Sequence, residues 1–420
     1  MKPLLSLAAR SAWNRRFALS LVVVSIALSS FLLMGIERIR QDVRDNFSQA
    51  VSGTDLIVGA RTGPVQLLLY SVFRIGNATN NIRWSSAQAL AQHRAVAWTV
   101  PLSLGDSHRG FAVLGTTGDY FRHFRHGDKQ PLRFAHGKPF EGLYDVVLGA
   151  DVAARLGYRL GQPVVLAHGD GALQANDHAD KPFSVVGILA PTGTPVDRTL
   201  HVSLQAIEAL HVDWIAGARL PGVAVSAEAA AQRDLTPRSI TALLLGLKNR
   251  AAVFSLQREV AGFRDEPLLA ILPGVALDEL WEVVALGERG LQAMSALVAL
   301  VSVGGLVAVI LAGLNERRRE LAILRAVGAG PRQVLWLLAL EGALVTLAGV
   351  ALGVAACWLA VAGAGGWVQG HFGLTLQAAP PGATEWRLIG ALLAGGWLAS
   401  LLPGWRAYRL SLADGLSPRL

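Results

Sequence analysis

The chain has 420 residues, of which 52% are hydrophobic and 16% charged, with a net charge of +8 and a single cysteine. A charged share far below the roughly 25% of soluble domains, with apolar residues gathered in blocks near the two ends, excludes one soluble globule and fits membrane spans. The one cysteine, Cys357, lies inside an apolar block, which excludes an internal disulfide, and the basic residues flank the apolar blocks, so no nucleic-acid partner is expected.

Residues 1–16 carry Lys2, Arg10, Arg15 and Arg16 ahead of the apolar run Phe17–Ile36. That run is 20 residues long, longer than a secretory apolar region, and no A-x-A-like site ends it. It reads as a retained first span, 17–36. The next stretch, 37–285, is too long for a loop and reads as a mixed α/β domain. Strand-like runs are Asp55–Val58, Val96–Val100, Phe111–Leu114, Val146–Leu148, Val164–Leu166, Phe183–Leu189 and Ile240–Leu247. Helix-like runs are Ser86–His93, Asp151–Leu156, Leu204–Leu210 and Ala251–Phe263, and Pro191-Thr-Gly-Thr-Pro195 is a turn by its chemistry. Leu277–Leu286 then reads as a helix continuing into the membrane.

Three more apolar segments follow: 291–314, 334–362 (interrupted by Glu341) and the short 388–402, flanked by Trp386 and Trp405. Between and after them lie 315–333, 363–387 and the tail 403–420. Arg317, Arg318, Arg319, Arg325 and Arg332 fall in the first connection, and Arg406, Arg409 and Arg419 in the tail. Positive charge faces the cytoplasm, so both termini and 315–333 are expected inside, and 37–285 and 363–387 outside. The fold class expected is a membrane protein with four transmembrane α-helices and a large α/β (α+β) periplasmic domain, in a bacterial inner membrane.

The spans carry small residues at helical spacing: Gly304, Ala308 and Ala312 on one, and Gly342, Thr346, Gly349 and Gly353 on the next. Small residues let helix backbones approach closely in lipid. The ladders serve either packing within one subunit or a seam between two. Glu341 is costly in hydrocarbon and reads as structural, near the inner interface.

No P-loop, H-E-x-x-H or G-x-S-x-G motif occurs, so neither nucleotide hydrolysis nor those hydrolytic chemistries are expected of this chain, and no catalytic residue is assigned. All ten histidines lie in the segments expected outside. They read as surface or core residues with no directly bound cofactor. Should a transition metal bind, His168 and His178 are the first candidates, beside Asp170, Asp177 and Asp180; His123-x-x-His126 is another pair.

The segment 315–333 runs from charged residues (Glu316, Arg317, Glu320) through a helical apolar pattern (Leu321, Leu324, Val327) to Gly328, Gly330 and Pro331, which is well placed to start a helix. By periodicity it either lies on the membrane surface or docks into a soluble partner. Glu320-Leu-Ala-Ile-Leu-Arg-Ala-Val-Gly328, with Leu340-Glu-Gly342 and Gly349-x-x-x-Gly353, closely resembles the C-terminal permease module of the MacB/FtsX/LolCE family of ABC systems. The tail Leu402-Pro-Gly-Trp-Arg-Ala407, the start Ala12-Trp-Asn-Arg-Arg16, and Thr54–Val58 are similar too. Val147–Gly161 resembles that family's periplasmic core domain.

The resemblance implies that Glu320–Gly328 is the coupling helix seated in an ATPase, with Glu316 and Arg317 leading into it and Leu321, Leu324, Arg325 and Pro331 shaping it. It further implies a separate P-loop ABC ATPase holding ATP and Mg, a second permease copy or paralogue, surrounding lipid, and a periplasmic adaptor or substrate-binding protein as a further partner. ATP-driven movement of the outer domain would then serve export, extraction or handling of an envelope substrate. The alternative within the family is a signalling permease that activates a periplasmic partner. No ATPase is fused to the N-terminus, which makes the layout closer to LolC, LolE or FtsX than to MacB.

Overall fold

The computed structural model describes residues 16–50, 52–169, 178–215, 218–219, 225–316, 328–372, 376 and 378–409. The chain divides into two units, one of Met1–Asp42, Ala285–Trp367 and Leu376–Leu420, the other of Val43–Val284 and Val368–Thr375. After the long helix α1 (Arg16–Gln49), the second unit contributes, in order, β1 (Leu56–Ala60), α2 (Trp84–Ala91), β2 (Val96–His108), β3 (Phe111–Thr116), β4 (Phe134–Gly137), β5 (Asp145–Leu148) and α3 (Ala150–Leu156). It continues with β6 (Pro163–Val164), β7 (Ala167–His168), β8 (Phe183–Leu189), β9 (Thr199–Ser203), α4 (Leu204–Leu210), β10 (Ala242–Leu247), α5 (Val253–Ala261) and β11 (Leu268–Ile271).

These strands form one 11-stranded sheet in the order β11-β1-β10-β2-β3-β9-β5-β8-β4, with β7 added on β2 and β6 on β8. Two pairs are parallel, β9 with β3 and β8 with β5. Strand alternation sends side chains to separate cores. Ile57, Val100, Leu244 and Ile271 enter one. Leu56, Val58, Leu243 and Leu245 enter another, closed by Leu90 of α2 and Leu256 and Val260 of α5. A third gathers Val146, Leu148, Val185, Leu200 and Val202 under Val152 of α3 and Ala206 of α4. Burial on both faces explains why β1 and β10 are continuous apolar runs. Each such side chain contributes about 1.5–3 kcal/mol when fully buried.

Two local devices shape the part of the sheet that matters below. At Gly149, the residue before α3, an added Cβ would run into the carbonyls of Val196 and Asp197, so only glycine fits. The Asp197 carboxylate in turn accepts N–H bonds from Thr192 (2.9 Å) and Gly193 (2.7 Å), which fastens the predicted 191–195 turn. In β2 the register against β3 shifts between Leu104 and Ser107. Gly105, at φ +148°, absorbs the irregularity, and Asp106 follows it.

The other unit gathers α1, α6 (Pro273–Glu316), α7 (Pro331–Phe372) and α8 (Ala383–Arg409). Among the described residues three helices are long and apolar enough to cross a membrane by length and composition: Leu19–Asp42, Pro273–Ala312 and Pro331–Val368, with mean hydropathy 2.4, 2.5 and 2.3. The expected fourth span falls on α8, whose apolar stretch Leu388–Leu402 covers only about 22 Å at 1.5 Å per residue, against a roughly 30 Å layer. Among the described residues three spans are therefore supported, and the fourth expected one is not confirmed. α7 also stays helical through Phe372, beyond Ala362, in a run that contains no proline. Leu19, Val22, Ile26, Leu306, Ile310, Leu338, Val345 and Ile389 form the bundle core. Large apolar residues such as Leu300, Val301 and Leu359 face outward and are more than 60% exposed, which suits lipid and would be a liability in water.

Polar groups inside the bundle are paired. Ser302 bonds Ser25 (2.9 Å) and Ser29 (2.7 Å) across α6 and α1. Arg38 of α1 reaches Glu385 of α8 (3.3 Å) and donates to the Ala379 carbonyl (2.8 Å).

Candidate functional site

The densest group of metal-binding side-chain types among the described residues lies in the α/β unit. Asp106, His168, His178 and His211 each place one ligand atom within 4.8 Å of all the others. Local structure accounts for each position. The antiparallel register of β2 and β7 sets Asp106 directly opposite His168. His211 is the residue that ends α4, and its Nδ1 bonds the Ile207 carbonyl at 2.8 Å. His178 opens a turn in which the Lys181 N–H donates to the His178 carbonyl (3.0 Å), and His211 opens a matching turn closed by Trp214 N–H (3.0 Å). The fully buried Lys181 ties the two turns together, with Nζ 3.2 Å from Asp213 and 3.1 Å from Asp180. The Trp214 indole packs against His178 (centroids 4.8 Å apart) and His168 (5.3 Å).

The atoms facing one another are close. His168 Nδ1 stands 3.0 Å from Asp106 Oδ1 and 3.0 Å from His211 Nε2, and His211 Nε2 is 3.3 Å from the same carboxylate oxygen. Asp106 and His178 are buried, while the side chains of His168 and His211 remain 31% and 25% exposed. Burial opposes a charged Asp106. Hydrogen bonds from His168 and His211 outweigh it and hold the carboxyl well below the usual carboxylate range. Burial dominates at His178 and pushes its pKa down to about 4. At His211 burial also works against the charge, but the Asp106 contact wins and the pKa rises. His178 Nε2 is buried with no hydrogen-bond partner.

Of the residues singled out from sequence, His168 and His178 therefore do come together. Asp106 and His211 were missed: they stand 62 and 43 positions from His168 in the chain, and only the β2–β7 register and the end of α4 bring them in. Asp180 pairs with Lys181 instead, and Asp170 and Asp177 lie outside the described residues. His123 stacks on Trp98, away from this cluster. Among the coupling residues, Arg317, Glu320, Leu321, Leu324 and Arg325 lie outside the described residues; Glu316 ends α6, Gly328 has φ +102° and Pro331 begins α7.

The small-residue ladders separate. A Cβ on Gly349 would stand 2.7 Å from Ile26 Cβ and 3.0 Å from the Val23 carbonyl, and one on Gly353 would overlap Ser30 Oγ and the Ala27 carbonyl. Both glycines thus seat α7 on α1 of the same chain. Gly342 meets Ser400 of α8. Gly304 has nothing within 4 Å and Ala308 is exposed, so that face of α6 is uncovered. Glu341 is 4% exposed inside the bundle.

An α/β domain set between the first and second of several long apolar helices defines a membrane permease with a large extramembranous domain. Two family models match: the MacB-like periplasmic core domain over residues 17–243, and the FtsX-like permease C-terminal over residues 293–412. The chain belongs to this MacB/FtsX/LolC-like family of ABC transporter permeases, which are membrane proteins. It is 27% identical over 243 residues to the lipoprotein-releasing system transmembrane protein LolC of Neisseria meningitidis serogroup B (strain ATCC BAA-335 / MC58), covering 56% of this chain and 52% of that one. The chain thus spans about half the length of that curated relative. Similar solved structures include the periplasmic region of MacB from Actinobacillus actinomycetemcomitans (TM-score 0.34, 10% identity, 55% of this chain and 94% of that one). Another is the extracellular domain of the noncanonic ABC-type transporter YknZ from Gram-positive bacteria (TM-score 0.30, 11% identity, 52% and 99%).

Proposed function

We propose that this chain is the permease subunit of an ABC complex in the inner membrane, coupling ATP hydrolysis by a separate P-loop ATPase to movement of its outer α/β domain. The observation that carries the reading is the joint match to a MacB-like periplasmic core domain and an FtsX-like permease region in one chain. The continuity of α6 supports it: one helix of 44 residues begins two residues after β11 and runs to Glu316, at the edge of the proposed coupling segment. In this reading α1, α6, α7 and α8 all cross the membrane, both termini are cytoplasmic, and Glu320–Gly328 forms the helix gripped by the ATPase. A second permease copy or paralogue completes the complex, and the uncovered Gly304–Ala308 face of α6 suits a helix from it. The work done is export, extraction or handling of an envelope substrate. The matched relative is named for lipoprotein release, so a lipid-anchored protein is the first cargo to test.

The reading is tested by affinity purification of the full chain from its native membrane. A P-loop ATPase should accompany the wild type and be lost from Leu324→Asp and Arg325→Glu. A wild-type complex without any ATPase overturns the proposal.

A further inference from the structure

We infer that Asp106, His168, His178 and His211 form a closed binding site for one divalent transition-metal cation of the zinc class, held by the α/β unit. In a tetrahedral zinc site, nitrogen and oxygen ligands sit at roughly 2.0–2.2 Å from the ion, which puts neighbouring ligand atoms about 3.3–3.5 Å apart. Three of the separations here are 3.0, 3.0 and 3.3 Å, the edges of one face of such a tetrahedron, slightly contracted. His178 supplies the fourth corner within the 4.8 Å limit.

Three of the four groups are in mutual hydrogen-bond reach, and the fourth brings a buried nitrogen with no partner. The Ile207 carbonyl can only accept, so the Nδ1 of His211 at 2.8 Å carries a hydrogen, and Nε2 is the ring atom turned toward the cluster. That nitrogen stands 3.3 Å from the Asp106 oxygen. His168 Nδ1 lies 3.0 Å from each of those two atoms. A second and independent observation is His178 Nε2, buried with no hydrogen-bond partner in a residue 1% exposed. A cation at the centre converges all four groups. The His211–Ile207 bond is then the outer contact that fixes a ligating histidine's tautomer.

The donor set is chemically selective. Three imidazoles and one carboxylate suit zinc, and also nickel, cobalt or copper, while calcium and magnesium prefer all-oxygen shells. Four protein ligands leave no open position, so the ion clasps rather than catalyses. It would fasten β2, β7, the end of α4 and the His178 turn, and so close the chain at both ends of 169–177. The partly exposed edges of His168 and His211 give it a way in from solvent.

The test uses the full chain in detergent, stripped with a chelator and then titrated with zinc alone against a chromophoric competitor, with metal counted by elemental analysis. One zinc per chain is expected, with affinity reduced by about 100-fold or more in His168→Gln and in His211→Gln, since outer-shell changes alone cost 10–100-fold. His136→Gln, an exposed histidine on β4, should bind as the wild type does. Cobalt should give the intense visible absorption of a tetrahedral complex in the wild type and lose it in His168→Gln. Because His178 is buried, His178→Ala is read only if its circular dichroism matches the wild type. A folded wild type that takes up no stoichiometric zinc, a cobalt spectrum of the pale octahedral kind, or unchanged binding in both glutamine variants overturns the site. The result is independent of whether an ATPase co-purifies.

Discussion

Replacing Gly353 by alanine tests whether the α7 ladder seats one helix of this chain on another. Carbon atoms pack at about 3.5–4.0 Å. A Cβ at position 349 would fall 2.7 Å from Ile26 Cβ, so α1 and α7 must part by roughly 1 Å. At position 353 the obstacle includes the Ala27 carbonyl, which is backbone and cannot turn aside. Overpacking of this kind costs about 1–3 kcal/mol, with the backbone clash at the upper end. Alanine in place of glycine returns about 1 kcal/mol of helix propensity. The expected net destabilisation is about 2 kcal/mol for Gly353→Ala and about 0–1 kcal/mol for Gly349→Ala. Because both strain the same helix pair, the double variant should lose less than the sum. Gly304→Ala meets nothing and should be neutral or stabilise by up to about 1 kcal/mol. Unfolding of the full chain in mixed micelles against increasing denaturing detergent, followed by tryptophan fluorescence, gives these differences. A Gly353→Ala chain as stable as Gly304→Ala, yet unable to self-associate, would refute the reasoning and move the ladder to a contact between subunits.

Three further outcomes follow, two from buried polar groups and one from a close backbone approach. Glu385→Ala removes the shorter of two ion pairs of the buried Arg38, leaving Asp42 at 3.8 Å and the Ala379 carbonyl at 2.8 Å, and should destabilise the bundle by about 1.5–3 kcal/mol in the same unfolding assay, with Arg38→Ala/Glu385→Ala recovering part of that loss. His201, between Tyr120, Phe121 and the Val147 carbonyl, has its pKa pushed down to about 3 by burial, with the Arg74 charge adding to it. A depressed histidine pKa means the unfolded chain binds the proton first, so stability is fully present above the unfolded pKa of about 6.5 and is lost as pH falls towards 3. This group alone should remove about 2 kcal/mol between pH 7.5 and 5, measurable by hydrogen exchange in β9, and His201→Phe should flatten that slope. Gly149→Ala would press a methyl against the Val196 and Asp197 carbonyls and should cost about 1–3 kcal/mol, seen as earlier thermal loss of the domain's circular dichroism.

What the sequence made legible follows from what periodicity can carry. The strands β1 and β10, buried almost throughout, are unbroken apolar runs, β8 is apolar but for Ser184, and the long apolar helices announce themselves by length alone. β9 escaped notice although it is central, because Thr199-Leu-His-Val-Ser203 mixes polar and apolar residues. Its Thr199 and His201 are as buried as its leucine and valine, their polar atoms placed by the fold: Thr199 Oγ1 donates to Pro195 (2.8 Å) and His201 Nδ1 meets Val147 (3.3 Å). The strand expected at Val164–Leu166 shrank to Pro163–Val164 because only those two residues find a partner on β8. Half of the histidine cluster was visible as His168 and His178, ten positions apart. The other half depends on a strand register and a helix end, which no local pattern encodes.

The cluster and the proposed coupling segment lie in different units of the chain, and that separation bears on mechanism. A domain displaced by a helix must move as one body, or the stroke dissipates in its own loops. His168 ends β7, and His178 opens the turn that leads toward β8 at Phe183. Lys181 with Asp213 already pins its far end from within the core. An ion binding only the folded form would add RT ln(1 + [L]/Kd), about 2.7 kcal/mol at one hundred times Kd, to the same place. Metal removal should therefore raise hydrogen exchange in β7, the 178–182 turn and the end of α4, while α6 and α7 keep their protection. Equal loosening of the bundle helices would show that the cluster braces something other than the domain that holds it.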